Sequence, residues 1–255
     1  MISIESERIT WSRKKNQYLK GIPQSNILFL FPIFLLMAAC AAPLSNLDSN
    51  YAALKPTRIA VLPAMNETAD LDAPVVFRIL AAAELADKGY ALIDPVRIDE
   101  ALAQRGIQEG GQIESLTPQE IGDLVGADGL LYVKVMSYGR QVGVHLKMEG
   151  SFTLVNSKSG QKIWYSELAV SDDIVLQGGA LMLGAQLLGG RDKSTQDKIM
   201  KDYQDYRKAR IDRAVAKFRS HPIRREVFRV INIDMEKIPL LDELFSKNFH
   251  GLPPA

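Results

Sequence analysis

Cysteine is nearly absent: Cys40 stands alone among 255 residues, so no disulfide can form within one chain. Histidine is almost as scarce. His145, His221 and His250 share no metal-ligand spacing, which excludes the His-x3-His and Cys/His zinc patterns. Neither a strand-Gly-x-Gly-x-x-Gly-helix unit nor a Walker loop is present, so no phosphate cradle can be named. Lys and Arg number 31 against 30 Asp and Glu, a formal net charge of +1. No field of one sign therefore draws nucleic acid or acidic substrates. No uncharged apolar run reaches the roughly 20 residues of a comfortable membrane span. These absences nominate no catalytic residue, no metal and no cofactor, and a non-catalytic protein is the expectation. With 47% hydrophobic and 24% charged residues the chain can still bury a core, and its stability must come from packing.

What is present begins with residues 27–40, ILFLFPIFLLMAAC. An uncharged, apolar run follows the cations Arg13, Lys14, Lys15 and Lys20 and ends in Ala38-Ala39 directly before Cys40. That is the layout of a secretory signal, with a basic lead, a short apolar centre and small residues at the cut. It resembles a bacterial lipobox, which implies cleavage after residue 39 and acylation of Cys40, with the lipid bilayer as first partner. Met37 stands where a lipobox usually has Leu. Ala41 rather than Asp after the cysteine points, by the same resemblance, to the outer membrane of a bacterial envelope, with the domain facing the periplasm. Residues 40–55 are small and polar and read as a lipid-anchored tether, reaching up to roughly 50 Å when extended.

The expected folded domain is 56–222. Residues 58–63 (RIAVLP) form an apolar run bounded by prolines, the pattern of a central strand buried on both faces. A polar loop over 64–74 precedes a helix over 75–88, whose stripe is 75, 76, 79, 80, 83 and 86, with Gly89 at its C′ position. A strand at 90–93 leads to a helix opened by Asp94-Pro95, with Val96, Ile98, Ala101 and Leu102 on one face and Gly106 as its stop. Thr117, Pro118 and Glu120 form a capping signal for another helix. Strands follow at 129–136, 142–154 and 162–170. Over 142–154 the even positions read V, V, L, M, G, F, L and the odd ones G, H, K, E, S, T, an antiparallel strand with one wet face. Trp164, Leu168 and Val170 share the apolar side of the last strand. The order β-α-β-α-α-β-β-β, then helical segments, predicts an α/β fold with a mixed β-sheet and flanking helices.

Four stretches, 58–68 (RIAVLPAMNET), 84–106 (ELADKGYALIDPVRIDEALAQRG), 121–139 (IGDLVGADGLLYVKVMSYG) and 154–170 (LVNSKSGQKIWYSELAV), together resemble a family of bacterial lipoproteins of uncharacterised function. The resemblance covers about 57–188. It implies a fold similar to the amino-terminal domain of TolB, and a protein partner similar to the curli secretion channel lipoprotein. It carries over no catalytic residues.

Two segments remain. Residues 174–190 (IVLQGGALMLGAQLLGG) carry no charge and five glycines. They read either as a cover for the sheet or as a contact with a partner or a second copy, through Ala180, Leu181, Leu183, Gly184 and Leu187. Residues 194–220 read as a charged helix with a thin apolar stripe of Ile199, Tyr203, Tyr206, Ile211, Val215 and Phe218, either docked by that stripe or binding anionic lipid or a partner helix. Residues 223–255 are a tail with a weak strand at 224–233 and a short amphipathic helix at 240–249. The reading that results is a membrane-anchored lipoprotein, a non-catalytic accessory or assembly component of an envelope secretion or transport apparatus. The alternative is a periplasmic lipoprotein that captures a small molecule or cell-wall fragment near 64–74.

Overall fold

A computed structural model describes residues 44–140, 146–172 and 193–255. The chain divides into two compact units, of which one spans 42–177 and 203–255 and holds the sheet. In the other, residues 193–202 are described, as the start of a long helix.

The sheet contains β1 (Leu44–Leu47), β2 (Arg58–Val61), β3 (Met65–Asn66), β4 (Ala91–Leu92), β5 (Gly129–Arg140), β6 (Leu146–Asn156) and β7 (Lys162–Asp172). Their spatial order is β1-β7-β6-β5-β2-β4, and β3 also pairs with β5. β2 runs parallel to β4 and β5, whereas β5, β6, β7 and β1 are antiparallel neighbours. The helices are α1 (Tyr51–Leu54), α2 (Ala73–Asp87), α3 (Pro95–Ala103), α4 (Pro118–Val125), α5 (Lys193–Ser220), α6 (Val227–Val230) and α7 (Ile238–Phe249). The mixed α/β architecture is the one the sequence predicts, with β1 and β3 added.

Local chemistry explains the boundaries. Thr117 Oγ1 accepts from the N–H of Glu120 at 3.3 Å, and the Glu120 carboxylate accepts from the N–H of Thr117 at 2.8 Å, so the capping box opens α4. Gly126, at φ +70°, closes it in the left-handed region. Asp94 caps α3 through the N–H of Val96 at 2.9 Å. Asp128 accepts from the N–H groups of Thr57 and Arg58 and from the Thr57 hydroxyl, tying the start of β2 to that of β5. Burial opposes ionisation of this carboxyl, but those hydrogen bonds outweigh it and hold it below the usual carboxylate range.

Two cores sandwich the sheet. Ala60, Leu62 and Leu130 point to one side and meet Ile98 and Leu102 of α3 and Ile121 of α4. The larger core lies on the other side, under α2 and α7. There Phe152 meets Phe245 and Phe249 with ring centroids 5.2 and 5.0 Å apart, and Trp164 meets Phe249 at 5.2 Å. Gly150 lies beneath Phe77. A Cβ there would stand 2.5 Å from the Phe77 ring, so the glycine lets α2 approach the sheet.

Several expectations need correction. The tether does not extend to 55, because Leu44–Leu47 pair with β7 and Tyr51 is buried in the larger core. A four-residue strand with only Leu44 and Leu47 apolar has too little periodicity to be recognised beside a polar spacer. The tail at 223–255 is core: Val227, Ile238, Leu241, Leu244, Phe245 and Phe249 are buried. Residues 224–233 are helical rather than a strand, with a 3-10 turn at Arg224–Glu226 followed by α6. The stripe of α2 is widened rather than moved: Val76, Leu80 and Ala83 are buried as expected, Phe77, Ala81 and Leu85 are buried as well, and Val75 is exposed. α2 is covered by the sheet and also by the C-terminal segment, so its apolar arc is wider than one stripe. Likewise Val96 of α3 and Tyr206 of α5 are exposed although both were placed on apolar faces.

The C-terminal segment is locked to α2 by Arg224, which is 5% exposed. Its guanidinium donates to Glu84 at 2.7 Å and to Asp242 of α7 at 2.8 Å. His221 Nδ1 accepts from the N–H groups of Ile223 and Arg224, and its Nε2 meets Asp87 at 2.9 Å. Farther on, Tyr90 donates to the Pro253 carbonyl and Lys88 to that of Leu252, both at 2.7 Å. Burial pushes the Glu84 carboxyl above the usual carboxylate range, and the Arg224 charge opposes that.

Two predictions follow from this packing. Trp164→Ala empties a fully buried site and should cost about 3–5 kcal/mol in urea unfolding, and an unchanged midpoint would show that the indole is not core. Arg224→Met strands Glu84, while Asp242 keeps Lys217 at 2.6 Å, and should cost about 3–5 kcal/mol at neutral pH. A carboxyl whose folded pKa is raised contributes stability below its unfolded value and loses it as pH rises. The gap between variant and wild type should therefore narrow as the pH is lowered from 7 towards 5. A gap independent of pH would contradict this role for Glu84.

Candidate interaction surface

The second face of β5, β6 and β7 presents half-exposed polar side chains, with Tyr132 still packed against the smaller core under α3 and α4 and the rest lying farther along the sheet. Strand alternation puts them there, because the opposite residues fill the larger core. Register aligns Tyr132 with Thr153 and Tyr165, and Lys134 with Ser151 and Glu167. Lys134 pairs with Glu67 beside β3 at 2.7 Å, and Lys147 with Glu149 at 2.6 Å. The hydrogen bond to Glu67 holds the Lys134 ammonium above its ordinary pKa. Tyr165 donates to Glu167, and Lys162 Nζ sits 5.0 Å from the centroid of the Tyr165 ring. Burial, then the bond and charge of Glu167, push the Tyr165 phenol up to about 12. Next to this face, Asn46, Leu47, Asp48, Lys162 and Tyr165 line a shallow groove of about 350 Å³ at the β1 edge. Such a surface offers flat aromatic area and paired charges of both signs, which suits binding.

The buried polar side chains are largely spent on the fold. Asn248 accepts from Ser166 at 2.8 Å and donates to the Leu244 carbonyl, and Ser157 donates to Ala127 at 2.8 Å. His221 is held between Asp87 and two backbone N–H groups, as described above, and His250 is exposed. Among the described residues no group of three or more His, Cys, Asp or Glu is placed to hold a metal ion. No described helix is long and apolar enough to cross a membrane.

The loop at 64–74 is closed on itself. Thr68 N–H donates to Asn66 Oδ1 and the Asn66 amide to the Asp70 carbonyl, both at 3.0 Å. The Asp70 carboxylate accepts from Asp72 N–H and pairs with Lys237 at 3.1 Å. Asp70, the residue there best suited to a cation, is thus taken up by the protein itself. Cys40, His145 and the proposed contact residues Ala180, Leu181, Leu183, Gly184 and Leu187 lie outside the described residues. The open face was legible as the odd, polar positions of β6. The groove was not, since it depends on β1.

A family model described as "Putative lipoprotein GNA1162-like" matches residues 48–207. The chain belongs to this GNA1162-like lipoprotein family. The match takes in every strand from β2 to β7. A Neisseria meningitidis relative named "Putative lipoprotein NMB1124/NMB1162" is 24% identical over 150 residues, 57% of this chain and 70% of its own. The crystal structure of lipoprotein GNA1162 from Neisseria meningitidis is 22% identical with a TM-score of 0.43, covering 53% of this chain and all of that one. The C-terminal domain of LpoB from Escherichia coli is 21% identical with a TM-score of 0.34, covering 46% and 83%. A PelC dodecamer from Paraburkholderia phytofirmans is 19% identical with a TM-score of 0.31, covering 46% and 72%.

The tyrosine–carboxylate pair on this GNA1162-like face can be titrated. Because the folded Tyr165 phenol lies above its unfolded value of about 10, its contribution to stability is complete below that pH and is lost as pH rises through about 12. Glu167→Gln should lower the Tyr165 titration part of the way towards 10, followed by NMR of ring-labelled tyrosine. An unmoved titration would show that Glu167 does not govern the phenol.

Proposed function

We propose that this protein is a lipoprotein acylated at Cys40 that serves an envelope secretion or transport apparatus as a non-catalytic accessory or assembly component. The signal-like residues 1–39 would be removed, and the lipid would hold the domain at the outer membrane on its periplasmic side. The observation that carries the reading is the division of labour among polar groups. The buried ones, Arg224, Glu84, Asn248 and Ser166, bind one another and close the fold. The half-exposed ones, Tyr132, Lys134, Tyr165 and Glu167, line a sheet face suited to contact. Membership in a lipoprotein family and the position of Cys40 at the end of an apolar run support the anchor.

Mechanistically, the anchor does part of the binding. Confining the domain to a surface raises its effective concentration for any partner in the same membrane, so modest contacts suffice. Two acyl chains or more make the confinement stable, at about 0.8 kcal/mol per buried CH₂. The uncharged residues 174–190 are the second contact candidate, toward either a channel-like lipoprotein or another copy of this chain.

Cys40→Ser should abolish incorporation of labelled palmitate and move the protein out of the membrane fraction. Chemical cross-linking in intact envelopes should give a discrete adduct for the wild type that is lost in Cys40→Ser. It should also be lost in Ala180→Glu and Leu183→Glu while their circular dichroism stays native. Palmitate that still enters Cys40→Ser would overturn the anchor, and glutamate variants that unfold would place 174–190 in the core.

A further inference from the structure

The position of β1 sets how the domain stands on its membrane. Cys40 precedes the first residue of β1, Leu44, by four positions. However residues 41–43 run, the two Cα atoms can be no more than about 14 Å apart. A tether of that length cannot let the domain tumble freely above its lipid. It constrains which part of the sheet lies near the bilayer.

The sheet register identifies that part. β1 is antiparallel to β7 with Leu44 opposite Glu167 and Leu47 opposite Trp164, so the chain enters from the end at which β7 finishes. At the same end Leu146 starts β6 opposite Asp172, and Arg140 finishes β5 opposite Leu146. From Glu167 to Asp172 is about 17 Å of strand at 3.3–3.4 Å per residue. That slightly exceeds the full reach from Leu44 back to Cys40. With residues 41–43 continuing the line of β1, the end of β7 comes down to about the level of the acylated residue. The other end of the β6–β7 hairpin, the turn at 157–160, lies about 33 Å farther along from Asp172 at the same rise. Chain composition agrees with this polarity. The chain that leaves the sheet after Asp172 continues into the uncharged residues 174–190, whereas the distal turn reads Ser157, Lys158, Ser159 and Gly160.

We propose that the sheet stands end-on to the bilayer, with the end at which β5 and β7 finish toward the phospholipid headgroups and the 157–160 turn directed away. At that near end Arg140 is exposed, whereas Leu146 is buried in the larger core and Asp172 faces Arg210 of α5. This rests on acylation of Cys40. It goes beyond that reading by assigning the membrane-contacting surface and by leaving the polar face of β5, β6 and β7 upright, open to a partner beside the anchor.

Ser171 and Lys158 are both exposed and mark the two ends. Ser171→Cys and Lys158→Cys, each purified in acylated form from membranes, would be labelled with one fluorophore and reconstituted into phosphatidylethanolamine–phosphatidylglycerol vesicles doped with a headgroup-nitroxide lipid. Acylation blocks the Cys40 thiol, so each variant carries one label. Quenching should be at least threefold stronger at position 171 than at 158. Equal quenching, as a sheet lying on its β1 edge would give, or stronger quenching at 158, overturns the orientation. The mass of each purified variant separates the two readings. Protein without acyl chains overturns the anchor and the orientation together, and acylated protein with equal quenching overturns the orientation alone.

Discussion

Phe152, Leu154, Trp164 and Leu168 project from one face of β6 and β7, and a sheet presenting such a row to water would not persist. α7 covers it, with Phe245 and Phe249 in ring contact with Phe152 and Trp164. Each large side chain buried this way is worth about 1.5–3 kcal/mol relative to exposure, which makes this contact the main support available to a chain without disulfides. Other features follow from it. Arg224 has to hold α7 against α2 because α7 arrives from the far end of the sequence. Gly150 has to be a glycine because α2 shares the same face.

Much of this was legible in the residues. Over its described part, 146–154, the alternation separates core from the half-exposed face except at Ser151, which is buried, and the Thr117–Glu120 cap, Gly126 and Asp94 mark helix ends where the structure has them. Burial of Trp164, Leu168 and Val170 also follows from pattern. What could not be read depends on contacts between distant segments. Nothing local in LSNL at 44–47 shows that it will find the edge of β7, and nothing local in 224–233 favours a 3-10 turn over a strand. The turn is specified by His221, Arg224 and Asp242, which meet only in the folded protein. The candidate face was half legible: the polar strand positions were plain, but Glu67 joining Lys134, and the groove beside Lys162, require β3 and β1 to be in place.

The functional consequence of the missed strand is large. A spacer reaching to residue 55 would let the domain search tens of ångströms of the periplasm. With Cys40 acylated as proposed, a fold that starts at Leu44 would instead be a fixture on its membrane. Binding would then depend on geometry as much as on affinity, because a partner would have to approach from the side or from above. The charges on the open face are paired within the protein and partly solvated, so they contribute little to folding. Their arrangement is free to serve recognition.

The claim that anchors this account is that residues 44–47 belong to the sheet. Hydrogen exchange of the acylated protein in detergent micelles tests it directly, because edge-strand amides bonded to a neighbour exchange far more slowly than those of a spacer. The account predicts that a peptide covering 44–48, which includes the Asp48 amide bonded to the Ile163 carbonyl at 3.0 Å, is protected together with β7. Exchange of that peptide at the rate of an unstructured chain, with β7 still protected, would contradict it.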